Sequence, residues 1–179
     1  ICFCGGITEQ WCHDIIVDMI GKIDKCNYIL AGKGKEEYLN RLKQKSGWGK
    51  VKYLGVIPFE KVAEVYQNSM VGIALNVSTQ IGKEGSLGNT KLFEYMLAGI
   101  PVICSDNRLW KEIITKYKCG IVVDPLNKKE IVTAIQSIFL EPEKAREMGK
   151  SGRRAVLKYF NWSVEEKKLC NLYQKLALR

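Results

Sequence analysis

The segment GSLGNTKLFEYMLAGIPVICSD, residues 85–106, decides how the rest of the chain is interpreted. It predicts a glycine-rich loop, a helix over 90–98 and then a buried strand. Asn89 or Thr90 is suited to cap the start of the helix, and Gly99 is suited to end it in a left-handed turn. So short a helix is stable only when it packs against other elements, so we expect it to belong to a larger α/β domain.

Apolar runs of strand length alternate with helical patterns along the whole chain, and several runs are continuously apolar, as in strands covered on both faces. The predicted strands cover residues 1–4, 27–32, 51–55, 71–76, 101–105 and 120–124. The predicted helices cover residues 9–24, 35–45, 59–68, 90–98, 108–117, 128–140, 142–159 and 163–177. This order predicts a single α/β domain over 1–179, a doubly wound, Rossmann-like parallel sheet of about six strands with helices on both faces.

The composition limits the classes of partner and site. The formal net charge of +9 predicts an anionic partner, such as nucleotide phosphates, nucleic acid or an acidic membrane surface. The lysines are spread along the chain, which makes a nucleic-acid surface the weaker interpretation. The seven cysteines are odd in number and form no C-x-x-C pair, so we expect reduced core thiols in a cytosolic protein. His13 is the only histidine, and we expect no metal site.

Ligands of doubly wound sheets bind at the carboxyl ends of the strands. Four segments meet at that edge in the predicted fold. Three of them are GGITEQ, GKGKEE and GVIPFE, which follow the first three strands, and the fourth is the Gly- and Ser-rich connection 77–89. Long connections in compact domains are often functional, so we expect the binding site at this edge.

The helix that follows this connection combines features suited to a nucleotide. Its first N–H groups and partial positive charge favour a phosphate, and Gly85 and Gly88 allow a ligand to approach the backbone. Glu94 can accept hydrogen bonds from two vicinal hydroxyls, such as those of a ribose, while Lys91 adds a positive charge beside the phosphates. The spacing alone leaves an alternative open, in which Lys91 and Glu94 form an exposed i,i+3 ion pair.

The stretch NTKLFEYMLAGIPVICSD resembles the signature of retaining nucleotide-sugar glycosyltransferases of the GT-B fold, glycosyltransferase family 4, also called glycosyl transferases group 1. The resemblance covers the whole chain in order. The segments similar to successive parts of the family are YILAGKGKEEYLNRL, VKYLGVIPFEKVAEVYQNSMVGIALNVS, CGIVVDP and FNWSVEEKKLCNLYQKL. The resemblance implies that the chain is the C-terminal, nucleotide-sugar-binding half of such an enzyme.

The resemblance also implies roles for individual residues. Glu94 holds the donor ribose, Lys91 and the helix N-terminus hold the diphosphate, and Ile57 lies where the base is bound through backbone groups. The implied catalytic residues are Glu94 and Lys91. The implied donor-binding residues are Gly5, Gly6, Ile57, Ser86, Gly88, Asn89, Thr90, Lys91, Leu92 and Glu94. The resemblance implies no cofactor besides the substrate, a UDP- or GDP-sugar. It implies no metal, because helix dipoles and basic side chains stabilise the leaving diphosphate in this family.

The sequence departs from the family pattern at two places. The family commonly has two glutamates eight positions apart; Glu94 matches the second, whereas Ser86 occupies the position of the first. Glu84 lies two residues earlier and could substitute for it. No basic residue follows the first strand, although Gly5 and Gly6 still allow a phosphate to approach the backbone. We therefore expect a variant donor site.

The implied activity is transfer of a hexosyl group from the donor to an acceptor hydroxyl, with retention of configuration at the anomeric carbon, in polysaccharide biosynthesis. A preceding acceptor-binding domain is expected, because the chain starts at Ile1 inside a predicted strand and without a methionine. The chain alone is then inactive, and the helix over 163–177 packs on that missing domain. We expect a cytoplasmic protein with peripheral contact at the anionic inner face of the membrane, and no nucleic-acid partner.

Three other functions remain open from the residues. A sugar-nucleotide epimerase of the same fold would share the donor site. A nicotinamide- or flavin-binding domain would need G-x-G-x-x-G directly after the first strand, and GGITEQ lacks the third glycine. A basic module without catalytic activity could bind a nucleotide, nucleic acid or an anionic membrane.

Overall fold

The computed structural model describes residues 1–77 and 84–177. Its strands are β1 (Cys2–Cys4), β2 (Tyr28–Ala31), β3 (Val51–Gly55), β4 (Gly72–Ala74), β5 (Val102–Ser105) and β6 (Gly120–Val123). They form one parallel sheet in the order β3–β2–β1–β4–β5–β6. The chain adds β2 and β3 on one side of β1, and then adds β4, β5 and β6 on the other side. The pair β1 and β4 is therefore the topological switch point. The predicted six-stranded, doubly wound fold is confirmed.

Eight α-helices surround the sheet in the described ranges. They are α1 (His13–Ile20), α2 (Glu36–Lys43), α3 (Phe59–Gln67), α4 (Lys91–Ala98), α5 (Arg108–Tyr117), α6 (Lys128–Leu140), α7 (Pro142–Tyr159) and α8 (Trp162–Ala177). Buried residues of α1, α2 and α6 form the core on one face of the sheet, and those of α3, α4 and α5 form the core on the other. Helix α7 contributes to both cores, with Ala145 in the first and Ala155 and Val156 in the second. Helix α8 contributes no buried residue.

Two sequence predictions of element bounds need correction. The helix predicted over 9–24 is a short 3-10 helix, Glu9–Trp11, followed by α1, because Cys12 adopts a left-handed conformation with φ of 53° between them. The strand predicted over 71–76 pairs only over Gly72–Ala74. The connection predicted over 77–89 falls partly on residues 78–83, which lie outside the described residues.

The cysteines are free thiols, as the sequence predicts, and all except Cys170 are buried. Within residues 1–77 and 84–177, no group of three or more His, Cys, Asp or Glu side chains is placed to hold a metal ion. Within the same ranges, no helix has the length and apolar character needed to cross a membrane.

Candidate donor site

A cleft of about 270 Å³ opens at the carboxyl edge of the sheet, where β1, β2 and β3 end beside α3 and α4. The residues that line it are Cys4, Gly5, Ala31, Gly32, Val56, Ile57, Phe59, Val62, Tyr66, Lys91 and Glu94. Four residues predicted from the sequence thus meet in one place, since Gly5, Ile57, Lys91 and Glu94 come from three separate segments. The cleft lies beside the switch point, where ligands of this fold class bind.

The Glu94 carboxylate is held by two hydroxyl groups. Tyr66 donates to Oε2 over 2.8 Å, and Thr90 donates to Oε1 over 2.5 Å. An ionised carboxylate offers about four lone-pair positions, so roughly two stay free after these bonds. Glu94 therefore presents an oriented acceptor that can bind a pair of ligand hydroxyls.

The Lys91 ammonium donates to the carbonyl oxygen of Cys4, so it crosses from α4 to the end of β1. It lies 4.9 Å from the ring centroid of Phe3. Burial lowers the pKa of Lys91, and the charge of Glu94 offsets part of that effect. A Cβ at Gly5 would lie 2.5 Å from Cε and Nζ of Lys91, so a side chain there would displace the Lys91 ammonium from its position.

Lys91 and Glu94 do not form the i,i+3 ion pair that their spacing allows. Among the ion pairs of residues 1–77 and 84–177, none joins the two, and their polar atoms bind Cys4, Tyr66 and Thr90 instead. The two charges thus point to separate places in the cleft. This separation suits a ligand that carries hydroxyls at one end and an anionic group at the other.

The loop before α4 is fixed by α5. The indole N–H of Trp110 donates to the carbonyl of Ser86 over 3.0 Å, and the backbone N–H of Leu109 donates to the carbonyl of Glu84 over 2.9 Å. The Glu84 carboxylate accepts from Nε of Arg108 over 2.6 Å. Glu84 is therefore engaged with α5, which gives no support to the expectation that it substitutes for a glutamate at position 86.

The remaining loop residues shape the start of α4. The backbone N–H of Gly88 donates to the Ser86 hydroxyl over 3.1 Å, and that of Lys91 donates to the Asn89 side-chain oxygen over 3.3 Å. Thr90 is the N-cap of α4 but makes no side-chain cap bond, because its hydroxyl binds Glu94, and the acceptor for the first N–H of the helix is the Asn89 side chain. The next N–H groups of the first turn have no intrahelical acceptor, so they are available to an anion.

Four of the ten predicted donor-binding residues line the cleft, and the other six do not: Gly6, Ser86, Gly88, Asn89, Thr90 and Leu92. The Leu92 side chain is fully buried, so only its backbone can face a ligand. Gly6 is exposed and does not line the cleft. Val56 and Phe59 belong to the segment GVIPFE, which the sequence predicts at this edge. Sequence reasoning missed Tyr66, because its place in the cleft depends on how α3 packs beside α4 and no local pattern shows it.

A larger cleft of about 670 Å³ lies between the loops that follow β1 and β2. It is lined in part by Thr8, Lys33, Lys35 and Tyr38, and by Arg41, whose charge is paired with Glu9. None of the residues predicted for the donor site lines it. We therefore assign the candidate site to the smaller cleft, which both Glu94 and Lys91 line.

The family model of Glycosyl transferases group 1 matches residues 2–155. The chain belongs to this family. The putative glycosyltransferase EpsD of Bacillus subtilis (strain 168) is 26% identical over 140 residues, which are 77% of this chain and 34% of EpsD. This group 1 chain thus spans about a third of the length of that relative.

Solved structures show the same fold at low identity. Anabaena HepE in complex with UDP is 14% identical, with a TM-score of 0.81, over 96% of this chain and 48% of HepE. The C-terminal domain of the glycosyl transferase group 1 family protein LpcC from Francisella tularensis is 16% identical, with a TM-score of 0.73, over 90% of this chain and 85% of that domain. The group 1 chain therefore has the architecture of about half of a GT-B glycosyltransferase.

Proposed function

We propose that this chain is the C-terminal donor-binding domain of a retaining family 4 glycosyltransferase, which transfers a hexosyl group from a nucleoside diphosphate-sugar to an acceptor hydroxyl. One observation carries the proposal: the cleft places the oriented Glu94 carboxylate beside the Lys91 ammonium and the α4 N-terminus at the switch point of the sheet. The UDP complex of HepE, which has the same fold, supports a nucleotide as the ligand.

The ligand is oriented by the separation of the two charges. The 2′- and 3′-hydroxyls of the ribose donate to the free lone pairs of Glu94, and the backbone at Ile57 contacts the base. The diphosphate then extends to the α4 N-terminus and Lys91. Lys91 has three N–H donors and uses one on Cys4, so the others are available for phosphate oxygens.

The chemistry follows from this placement. As the bond between the anomeric carbon and the diphosphate oxygen breaks, negative charge develops on the leaving nucleoside diphosphate. The α4 N-terminus and Lys91 are fixed before the reaction, so they stabilise this charge without reorganisation. The acceptor oxygen forms the new bond to the anomeric carbon on the same face, and its proton leaves with the nucleotide.

The acceptor is bound outside this chain in our proposal. Helix α8 contributes no buried residue and exposes Leu169, Leu172 and Tyr173, which supports its packing on a preceding acceptor-binding domain. The net charge of +9 supports peripheral contact of the whole enzyme with an anionic membrane, on the cytoplasmic side.

Titration of nucleotides into the chain tests the donor site. UDP or GDP is expected to bind by calorimetry, and the backbone amide NMR signals of Ile57 and of residues 91–94 are expected to shift. NAD and FAD are the control ligands, because a dinucleotide-binding domain would prefer them. Signal shifts confined to the amino-terminal edge of the sheet would contradict the proposed site.

A further inference from the structure

Tyr66 lies near the end of α3 and is a cleft residue that the proposed function leaves without a role. Its side chain is 4% exposed, and its hydroxyl donates to Oε2 of Glu94 over 2.8 Å. Burial, followed by the charge of Glu94, raises the pKa of the phenol, so the hydroxyl keeps its proton. The hydroxyl therefore acts only as a donor toward the carboxylate at neutral pH.

The ring of Tyr66 is held in place by the core. It packs edge-on against Tyr95, with centroids 5.0 Å apart and planes at 75°. Tyr95 is fully buried, and its own hydroxyl donates to the carbonyl of Ile73 over 3.3 Å. The Tyr66 hydroxyl is thus presented to Glu94 from a fixed position.

Tyr66 and Thr90 constrain the carboxylate in different ways. Thr90 precedes Glu94 by one turn at the start of the same helix, so its bond moves with α4. Tyr66 belongs to α3, which follows the loop that carries Ile57. Of these two donors, Tyr66 alone fixes the carboxylate relative to the part of the cleft where the base is expected.

We propose that Tyr66 is a positioning residue for nucleotide recognition. Through its bond to Glu94 it keeps the free lone pairs directed at the two ribose hydroxyls, and so sets the preference for ribose over 2′-deoxyribose. This proposal rests on the proposed function of the cleft. It assigns Tyr66 no contact with the reacting atoms, so its effect passes through Glu94.

A double-mutant cycle tests this coupling. The affinities of wild type, Tyr66→Phe, Glu94→Gln and the double variant are measured by calorimetry for UDP or GDP, whichever binds wild type more tightly, and for its 2′-deoxy analogue. Tyr66→Phe is expected to weaken ribonucleotide binding about five- to tenfold, less than the loss of a direct hydrogen bond to a charged group, because its effect passes through Glu94. The same substitution should weaken binding of the 2′-deoxy analogue less. In the Glu94→Gln background it should reduce ribonucleotide affinity by less than about twofold.

Tyr95→Phe is the matched control, because it removes a buried phenol oxygen beside Tyr66 without touching Glu94. It is expected to lower the melting temperature while the ratio of ribonucleotide to 2′-deoxynucleotide affinity stays at the wild-type value. Two results overturn the positioning role. One is an equal loss of ribonucleotide affinity on Tyr66→Phe in the wild-type and Glu94→Gln backgrounds. The other is a ratio of ribonucleotide to 2′-deoxynucleotide affinity that Tyr66→Phe leaves unchanged. If Glu94→Gln itself leaves binding unchanged, the proposed function fails and the positioning role falls with it.

Discussion

Glu94 is the residue on which the proposed donor site depends, so its substitution is the first prediction at the residue scale. Glu94→Gln keeps the shape of the side chain but replaces a charged acceptor by a neutral amide. Hydrogen bonds to charged groups contribute roughly 1.5–3 kcal/mol, so nucleotide affinity by calorimetry should fall about tenfold or more. Glu143→Gln on the surface of α7, where Glu143 pairs with Arg146, is the control and should bind like wild type. Unchanged affinity of Glu94→Gln would leave Glu94 with a structural role only.

His13 gives a second residue-scale prediction, because it is the only histidine and is fully buried. Burial, followed by the charge of Lys91, lowers its pKa to about 3. Between about pH 6.5 and pH 3 the unfolded chain binds a proton that the folded chain does not, so acidification destabilises the fold. From this group alone, the free energy of unfolding should be about 2 kcal/mol lower at pH 5 than at pH 7.

Urea unfolding of wild type and His13→Gln at pH 5 and pH 7 measures this effect. The free energy of unfolding should fall more between pH 7 and pH 5 in wild type than in His13→Gln. The single imidazole NMR signal should also keep its position from pH 8 to pH 5. A signal that titrates near pH 6.5 would show that His13 is hydrated in the folded protein.

At the scale of elements, the sequence predicts what periodicity and capping residues determine, and misses what packing determines. Helix α4 ends at Gly99 as predicted, because Gly99 adopts the left-handed φ of 77° that ends a helix. The break at Cys12 was missed, since a cysteine with φ of 53° has no sequence signal. Tyr66 was missed for a similar reason, because its bond to Glu94 exists only once α3 and α4 pack together.

The crossing of α7 over the end of α4 provides a prediction about packing. A Cβ on Gly149 would overlap the carbonyl oxygen of Gly99 and lie 3.3 Å from Cα of Ile100. These are backbone atoms, which cannot rotate away, and overpacking typically costs about 1–3 kcal/mol. Gly149→Ala should therefore lower the free energy of unfolding, although alanine is the better helix former by about 1 kcal/mol.

Gly49→Ala is the control for this change, because a Cβ at that position meets no atom within 4 Å. Chemical denaturation of both variants, with the slope checked for two-state behaviour, gives the comparison. A Gly149→Ala variant as stable as wild type would mean that α7 shifts at little cost, and that the tight crossing does not hold α4 in place.

At the scale of the whole molecule, the proposed function makes the cleft the donor half of a site, and we place the acceptor half on another domain. The cleft is open on one side, and Val56 and Phe59 at its edge are 74% and 83% exposed. The chain spans 34% of EpsD and 48% of HepE, and the open cleft is compatible with the proposal that a further domain covers it. This division into a donor half and an acceptor half stays a prediction of the resemblance.

The last prediction is that residues 1–179 bind the donor nucleotide but transfer no sugar to an acceptor. Both groups proposed to hold the nucleotide, Glu94 and Lys91, are in place, so binding does not need a second domain. Transfer does need one, because an acceptor hydroxyl must be aligned with the anomeric carbon and water excluded by domain closure. Such alignment can be worth roughly 7–11 kcal/mol of the barrier, which one half of a site cannot supply.

Mass spectrometry of products from a panel of UDP- and GDP-sugars, with and without sugar and lipid acceptors, tests this prediction. Calorimetry on the same sample shows that the chain is folded and binds nucleotide, so an absent product cannot be caused by an inactive preparation. Slow hydrolysis of the donor is compatible with the prediction, because water needs no acceptor pocket. Rapid acceptor-dependent transfer by residues 1–179 would contradict it, since the exposed cleft beside Val56 and Phe59 would then have to bind the acceptor unaided.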